Sequence, residues 1–413
     1  MAKPEADDSP RFPPPPRLRR TSAPPASRIG LYVHIPFCSS ICNYCNFNRG
    51  LYDEALKTRY VAALRQEIAA APPGLAADTI FFGGGTPSLL EPAEIASIIQ
   101  DLRDRFDTPQ QPALSETGRQ SGRVEWEITL ETNPETIDRD KLERFRDAGV
   151  NRISFGVQSF RDDELKRLGR IHSASRARAA VREARAAGFD NVSLDLMMWL
   201  PGQSVETWLG NVDALVDAAP DHASLYLLEL YPNAPLKEEM ARSGWSLAPD
   251  DDAAEMYLSA MERLARAGLG QYEISNVARP GMASRHNLKY WTDGEWLAFG
   301  CGAHSTREGV RWKNVSGTAE YVERVTSGAD IVTERRVLSA NERLEEALFT
   351  GLRLTAGLDI EVVGARYGTD VWAIFGDALG PFLEAGWLIR EGDRLRLTRD
   401  GMLMANEVMA VFV

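Results

Sequence analysis

The chain is poor in cysteine, with four in 413 residues, and three of the four, Cys38, Cys42 and Cys45, crowd into one short stretch. So few thiols, so unevenly spread, exclude a disulfide framework and fit a metal site in a reducing compartment. Long apolar runs are also missing. None approaches the roughly 20 residues needed to cross a bilayer, and each ends in charge or turn residues, so the expectation is a soluble cytoplasmic protein rather than an integral membrane one. Basic charge is in deficit too. A formal net charge of -12 argues against a general nucleic-acid partner, which would be held by a basic surface. What the chain does have is 44% hydrophobic residues, enough to bury two or three domains.

Residues 1–28 are rich in proline and arginine and lack the apolar segment of a secretory signal, so a disordered tail is expected there. Arg17, Arg19 and Arg20 leave an organellar transit peptide as the alternative, against which Glu5, Asp7 and Asp8 count. From Ile29 onward, short apolar runs alternate with segments of helical period. Strands are predicted at 31–35, 79–82, 125–131, 152–157, 192–197 and 224–230, and helices at 54–71, 92–106, 139–148, 173–187, 205–218 and 251–267. Such alternation implies parallel strands with right-handed crossovers. Six units are two short of a closed barrel, which predicts an α/β fold: a partial, open (β/α)6 barrel over residues 29–270 with its functional residues at strand C-termini. The polar stretch from Thr108 to Arg123 reads as a surface loop. A Gly- and aromatic-rich annex is placed at 271–328, and helices around a β-hairpin at 329–413 suggest a C-terminal winged-helix-like α+β domain.

The chemistry concentrates at strand ends. The first strand runs into His34-Ile35-Pro36-Phe37, and Cys38-x3-Cys42-x2-Cys45 follows at once. Three thiolates can hold three irons of a cubane, leaving the fourth iron open to an exogenous ligand. A zinc site completed by His34 and unrelated buried cysteines are the alternatives. The second strand closes on Gly83-Gly84-Gly85-Thr86-Pro87, where glycine lets backbone approach a ligand closely. Glu131 ends the third strand and could accept from hydroxyl or ammonium groups; its alternative is a solvated helix cap. Gln158, Arg170 and Asp195 supply an amide, a guanidinium and a carboxylate at the barrel mouth, unless they are ordinary rim residues.

Read together, Tyr32-Val33-His34-Ile35-Pro36-Phe37 and Cys38-x3-Cys42-Asn43-Tyr44-Cys45 resemble the cluster loop of the radical S-adenosylmethionine (SAM) proteins. The branch is the one that contains the oxygen-independent coproporphyrinogen III oxidases and the haem chaperones, and the likeness runs from about Ile29 to the C-terminus. It implies a [4Fe-4S] cluster on Cys38, Cys42 and Cys45 with SAM on the fourth iron. It also implies SAM contacts from Gly84, Gly85 and Thr86, from Glu131, Gln158, Arg170 and Asp195, and from Tyr32 beside the sulfonium. The reaction implied is one-electron transfer from reduced cluster to sulfonium, giving methionine and a 5′-deoxyadenosyl radical.

Two departures bear on function. The oxidases carry a further cysteine two residues after the third, where this chain has Cys45-Asn46-Phe47, and they carry a longer N-terminal segment. Conversely, His286-Asn287-Leu288-Lys289-Tyr290-Trp291 and Gly300-Cys301-Gly302-Ala303-His304-Ser305 resemble the haem-chaperone branch. His286, beside two aromatics, could ligate or stack on a porphyrin, or could be a hydrogen-bonded histidine packing the annex onto the barrel. His172 and His304 read equally well as polar core groups, and Cys301 as a small buried one. Trp199 occupies a position where relatives place glycine and is expected to narrow the barrel mouth. The leading reading is a protein that binds haem and passes it to an acceptor apoprotein, of a respiratory class by resemblance. The second is oxidative decarboxylation of coproporphyrinogen III, and a nucleic-acid regulator using the C-terminal domain is disfavoured by the acidic charge.

Overall fold

Six strands lie side by side in chain order and run parallel: β1 (Ile29–Ile35), β2 (Ala77–Gly84), β3 (Glu127–Thr132), β4 (Arg152–Gln158), β5 (Val192–Met198) and β6 (His222–Leu227). Between them α1 (Glu54–Ala70), α2 (Pro92–Arg105), α3 (Arg139–Asp147), α4 (Ala174–Ala186) and α5 (Val205–Asp217) carry the chain back, as parallel pairing requires. Local chemistry sets the helix starts: the side chains of Asp53, Asp138, Ser173 and Ser204 each accept a backbone N–H of the first turn. The result is the open (β/α)6 barrel expected from the alternation. The structure is a computed structural model that describes residues 28–107, 125–232 and 234–413. The predicted tail, save Arg28, and the predicted loop from Thr108 to Arg123 lie outside the described residues. Among the described residues no helix is long and apolar enough to cross a membrane.

Parallel strands covered on both faces are usually apolar throughout. These alternate instead. Leu31 and Val33, Ile80 and Phe82, Ile128 and Leu130, Ile153 and Phe155 are buried in the main core. On the opposite parity Tyr32, Phe81, Glu131 and Ser154, with Asp195 and Tyr226 of the next two strands, line cavities on the inner face. One face of the sheet thus holds the fold together, and the other is left polar for a ligand.

The annex extends this sheet at both edges. After α6 (Asp250–Arg266), β7 (Gly270–Glu273) pairs antiparallel with β8 (Asn276–Ala278), which pairs antiparallel with β6. The chain then crosses through α7 (Arg285–Trp291) to β9 (Trp296–Phe299), which pairs parallel to the far side of β1. A meander of β10 (His304–Arg307), β11 (Val310–Asn314) and β12 (Val332–Val337) completes twelve strands in the order β12-β11-β10-β9-β1-β2-β3-β4-β5-β6-β8-β7.

The boundary expected near Gly328 therefore falls later. β12 follows that glycine and pairs with β11, so the terminal unit starts at about Leu338. The strand was concealed because it is an exposed, charged edge, Val-Thr-Glu-Arg-Arg-Val, as solvent-facing edge strands tend to be. The terminal unit packs helices at 340–351, 360–367 and 371–384 against a small three-stranded sheet, the predicted winged-helix-like arrangement. Its Arg353 returns to the barrel, pairing with buried Glu273 at 2.9 Å.

Candidate functional site

The cysteine loop is closed at its base. Phe37–Cys38 pairs in parallel with Gly50–Leu51; the Gly50 N–H donates to the Pro36 carbonyl at 2.7 Å and the Tyr52 N–H to that of Cys38 at 2.9 Å. Inside the loop, the Cys45 N–H donates to the Cys42 carbonyl at 3.3 Å. Cys38, Cys42 and Cys45 are all free thiols and all line one cavity of about 360 Å³ at the C-terminal ends of the strands. Thr86 donates to the Cys38 sulfur at 3.7 Å, and Arg170 Nη1 lies 3.5 Å from that of Cys42. Burial pushes the Cys38 and Cys45 thiols up, whereas iron would hold them deprotonated.

The zinc alternative lacks a free fourth ligand beside the three thiols. Among the described residues no group of three or more His, Cys, Asp or Glu side chains stands close enough together to hold a metal ion. His34, the zinc alternative's fourth ligand, is engaged at both ring nitrogens, with the Tyr32 hydroxyl at 3.2 Å and the Asn48 carbonyl at 2.7 Å.

The glycine turn braces the cysteine loop. Gly85 and Thr86 donate their backbone N–H groups to the carbonyls of Ile35 and Phe37 at 2.8 and 2.7 Å. A Cβ at Gly85 would lie 2.7 Å from the Phe37 carbonyl oxygen and 3.0 Å from the Cys38 sulfur. At Gly84, φ is +116° and a Cβ would meet the His34 ring at 2.6 Å. Glycine is required at Gly85 by contact with the loop and at Gly84 by its positive φ and the His34 ring of β1, reasons the sequence did not show. Gly84, Gly85 and Thr86 all line the cavity.

Two buried carboxyls face the same space. Glu131 accepts from the Gly84 N–H at 3.3 Å, and burial, reinforced by the charge of Asp195, pushes it up to about 8. Burial likewise raises Asp195 to about 6, against hydrogen bonds from Ser224 and Ser154. Perturbed carboxyls in a cleft mark a candidate site, and a cation beside them would favour their charged forms.

Gln158 reaches the cavity by a bulge. The β4–β5 register shifts between Gly156 and Gln158, and Gln158 takes φ of +66°, a strained backbone of the kind that re-aims side chains at sites. Its Oε1 is buried without a partner, as is Arg170 Nε. Both line the cavity, and orphaned polar atoms in one wall are what a polar ligand would satisfy. Arg170 otherwise donates to the Asn133 side chain at 2.8 Å and the Gly156 carbonyl at 2.7 Å.

Three expected residues stand elsewhere. Tyr32 lines the neighbouring cavities rather than the one around the cysteines. His286 is fully buried, with Thr79 Oγ1 at 2.8 Å from Nδ1 and the Tyr290 hydroxyl at 2.9 Å from Nε2. Burial pulls it down to about 3, and the structure gives it the packing role: it pins α7 to β2, with no ring nitrogen spare for a metal. Trp199 does not narrow the barrel mouth. At φ of +63°, a conformation that favours glycine, its indole turns away to donate to the Ala248 carbonyl at 2.8 Å.

Other side chains contribute that no motif announces. Asn133 bridges Arg170 and Thr86, donating to the latter at 3.1 Å, and it lay within the stretch already singled out at Glu131. Tyr226, on β6, follows from strand alternation with Ser224. A second cavity of about 500 Å³ shares Glu131, Asp195 and Tyr226 with the first and is walled by Asn287, Tyr290 and Trp291 of α7. The His286–Trp291 segment therefore does face the site, through these three side chains and not through its histidine.

Comparison with known proteins agrees with this geometry. The radical SAM superfamily model matches residues 32–215, and the HemN C-terminal domain matches residues 338–404. Heme chaperone HemW of Bacillus subtilis is 34% identical over 387 residues, covering 92% of this chain and 98% of that protein. HemW of Mycobacterium tuberculosis is 37% identical over 395 residues, covering 93% and 95%. The mitochondrial radical S-adenosyl methionine domain-containing protein 1 of Bos taurus is 35% identical over 408 residues, covering 94% and 88%. Among solved structures, the coproporphyrinogen III oxidase HemN of Escherichia coli shares the fold with a TM-score of 0.79 at 22% identity, over 94% of this chain and 90% of that one. With its cysteine loop, glycine turn and buried carboxyls around one cavity, the chain belongs to the radical SAM superfamily and, within it, to the HemW family.

Proposed function

We propose that this protein is a haem chaperone, which binds haem and hands it to an acceptor apoprotein of a respiratory class. Family membership implies a [4Fe-4S] cluster and SAM as cofactors. The residues to hold them are Cys38, Cys42 and Cys45 for three irons, and the cavity of Gly84, Gly85, Thr86, Glu131, Gln158, Arg170 and Asp195 for SAM. When bound, the reduced cluster supplies one electron to the sulfonium. The chain's own residues have separable tasks. Glu131 and Asp195 neutralise positive charge once deprotonated, Gln158 orients a polar group with its free amide oxygen, and Arg170 ties the Cys42 side of the loop to β4. Tyr32 shapes the adjoining cavities, where Tyr290 offers aromatic surface to a porphyrin.

The observation that carries this reading is at Phe47. Two residues beyond Cys45, where the oxidases have a cysteine, this chain presents a phenylalanine that is 65% exposed at the rim of the cluster cavity, and the full-length relatives are named for haem chaperoning. Titration of the anaerobically reconstituted chain with haem should give a saturable Soret change. Absence of saturation defeats the reading. A second reading, coproporphyrinogen III decarboxylation, is favoured by the likeness of fold to HemN; protoporphyrinogen formed from coproporphyrinogen III with SAM and reductant would establish it.

A further inference from the structure

An imidazole can ligate an iron porphyrin only if one of its ring nitrogens is unencumbered. The chain has five histidines, and all lie among the described residues. Four are spent at both nitrogens. His34 meets Tyr32 and Asn48, and His286 meets Thr79 and Tyr290. His172 lies 3.2 Å from Glu135 and 3.2 Å from the Val157 carbonyl, and His222 lies 2.9 Å from Ser193 and 2.8 Å from Tyr272. His304 alone is exposed, at the start of β10, with no hydrogen bond to its ring among the described residues.

Its placement is not that of a stray surface histidine. Tyr32 is in register with Ala298, Trp296 with Thr306, and His304 with Lys313. Strand alternation therefore sets Tyr32, Trp296, His304 and Lys313 on one face, the inner face that carries Glu131 and Asp195 further along the sheet. There they border a cavity of about 450 Å³ together with Tyr290 and Phe47. Tyr290 and Trp296 pack edge to face with centroids 4.7 Å apart. Phe47 lines both this cavity and the cluster cavity, so the residue that departs from the oxidase pattern is also the one that joins the two spaces.

We propose that His304 is the axial ligand of haem, which rests in this cavity against Phe47, Tyr290 and Trp296 with Lys313 facing a propionate. The proposal deepens the chaperone reading and rests on it. Binding forms one dative bond from an imidazole nitrogen lone pair to iron, displacing a solvent ligand. No porphyrin bond breaks and no electron is transferred. Lys313 is available for the propionate because its contact with Glu334 is loose, at 3.5 Å and largely exposed on the carboxylate side.

The test is a haem titration of the full-length, cluster-reconstituted chain, followed by Soret and EPR spectra, comparing wild type with His304→Ala and Phe47→Ala. Loss of mere outer partners weakens metal binding by about 10–100-fold, so His304→Ala is expected to weaken haem binding by at least about tenfold and to abolish the imidazole-ligated spectrum. Added imidazole should restore that spectrum. Phe47→Ala should weaken binding without changing the ligand signature. Iron and sulfide content equal to wild type shows that each variant is folded. A His304→Ala protein with wild-type spectrum and affinity overturns the assignment of the ligand alone. A wild type that binds no haem overturns the chaperone reading and this inference with it.

Discussion

If the cavity around Glu131 and Asp195 receives the cationic end of SAM, its affinity must follow pH in a calculable way. Burial, reinforced by the charge of Asp195, holds Glu131 at about 8, and burial holds Asp195 at about 6. The acid form of Glu131 offers no charge to a cation. A proton must leave before the pair forms, so binding releases a proton and tightens as pH rises. A group of pKa about 8 is about 1% ionised at pH 6 and about 50% ionised at pH 8, so the dissociation constant should fall about 50-fold across that window, about 2.3 kcal/mol at 1.36 kcal/mol per unit. Glu131→Gln preserves shape and removes the titration, which should flatten the curve above about pH 7 and leave Asp195 to bend it at lower pH. Anaerobic equilibrium dialysis of labelled SAM against the reconstituted chain at several pH values measures this directly. A wild-type constant that does not change with pH, or a Glu131→Gln protein that keeps the full slope, refutes the electrostatic argument.

Other expectations concern the loop and its supports. Cys45→Ser removes one of three thiolates and should leave substoichiometric iron and sulfide after reconstitution; a full complement would show that Cys45 is not a ligand. Gly84→Ala meets both a positive φ and the His34 ring at 2.6 Å, costs of about 1–3 kcal/mol each, so its thermal midpoint should fall. Gly380→Ala has nothing within 4 Å and, in a helix interior, should gain about 0.5–1 kcal/mol; equal midpoints for the two variants would contradict the packing described. Arg170→Met strands the acceptors of Asn133 and Gly156, each worth about 1–3 kcal/mol when left unpaired. Lower stability and weaker SAM binding are expected, and unchanged binding would remove Arg170 from the site.

The barrel was readable because its signals are local. The short apolar runs and the segments of helical period between them declare themselves within a few positions. The inner face was harder, since His222 and Ser224 look unlike a strand until their neighbours are known; β6 accordingly begins at His222, two residues before the predicted start. β9 is four residues long and pairs with a strand far earlier in the chain, a contact no local pattern encodes. The same holds for sites. The cysteine spacing and the glycine turn are contiguous, whereas the bulge that turns Gln158 inward is a property of pairing with β5. His286 shows the limit most clearly: its sequence neighbours advertise a porphyrin site, yet its ring is consumed by Thr79, a residue on another element. Which histidine is free is decided by the tertiary structure.

The proposed function requires a SAM-binding cluster on Cys38, Cys42 and Cys45 beside a haem site. Anaerobic iron and sulfide analysis with EPR of the reduced chain, before and after SAM and then haem, tests it most directly. The expected result is about four irons per chain, a cluster signal perturbed by SAM, and saturable haem binding without porphyrinogen turnover. A chain that assembles no cluster, or one whose signal is indifferent to SAM, would contradict it.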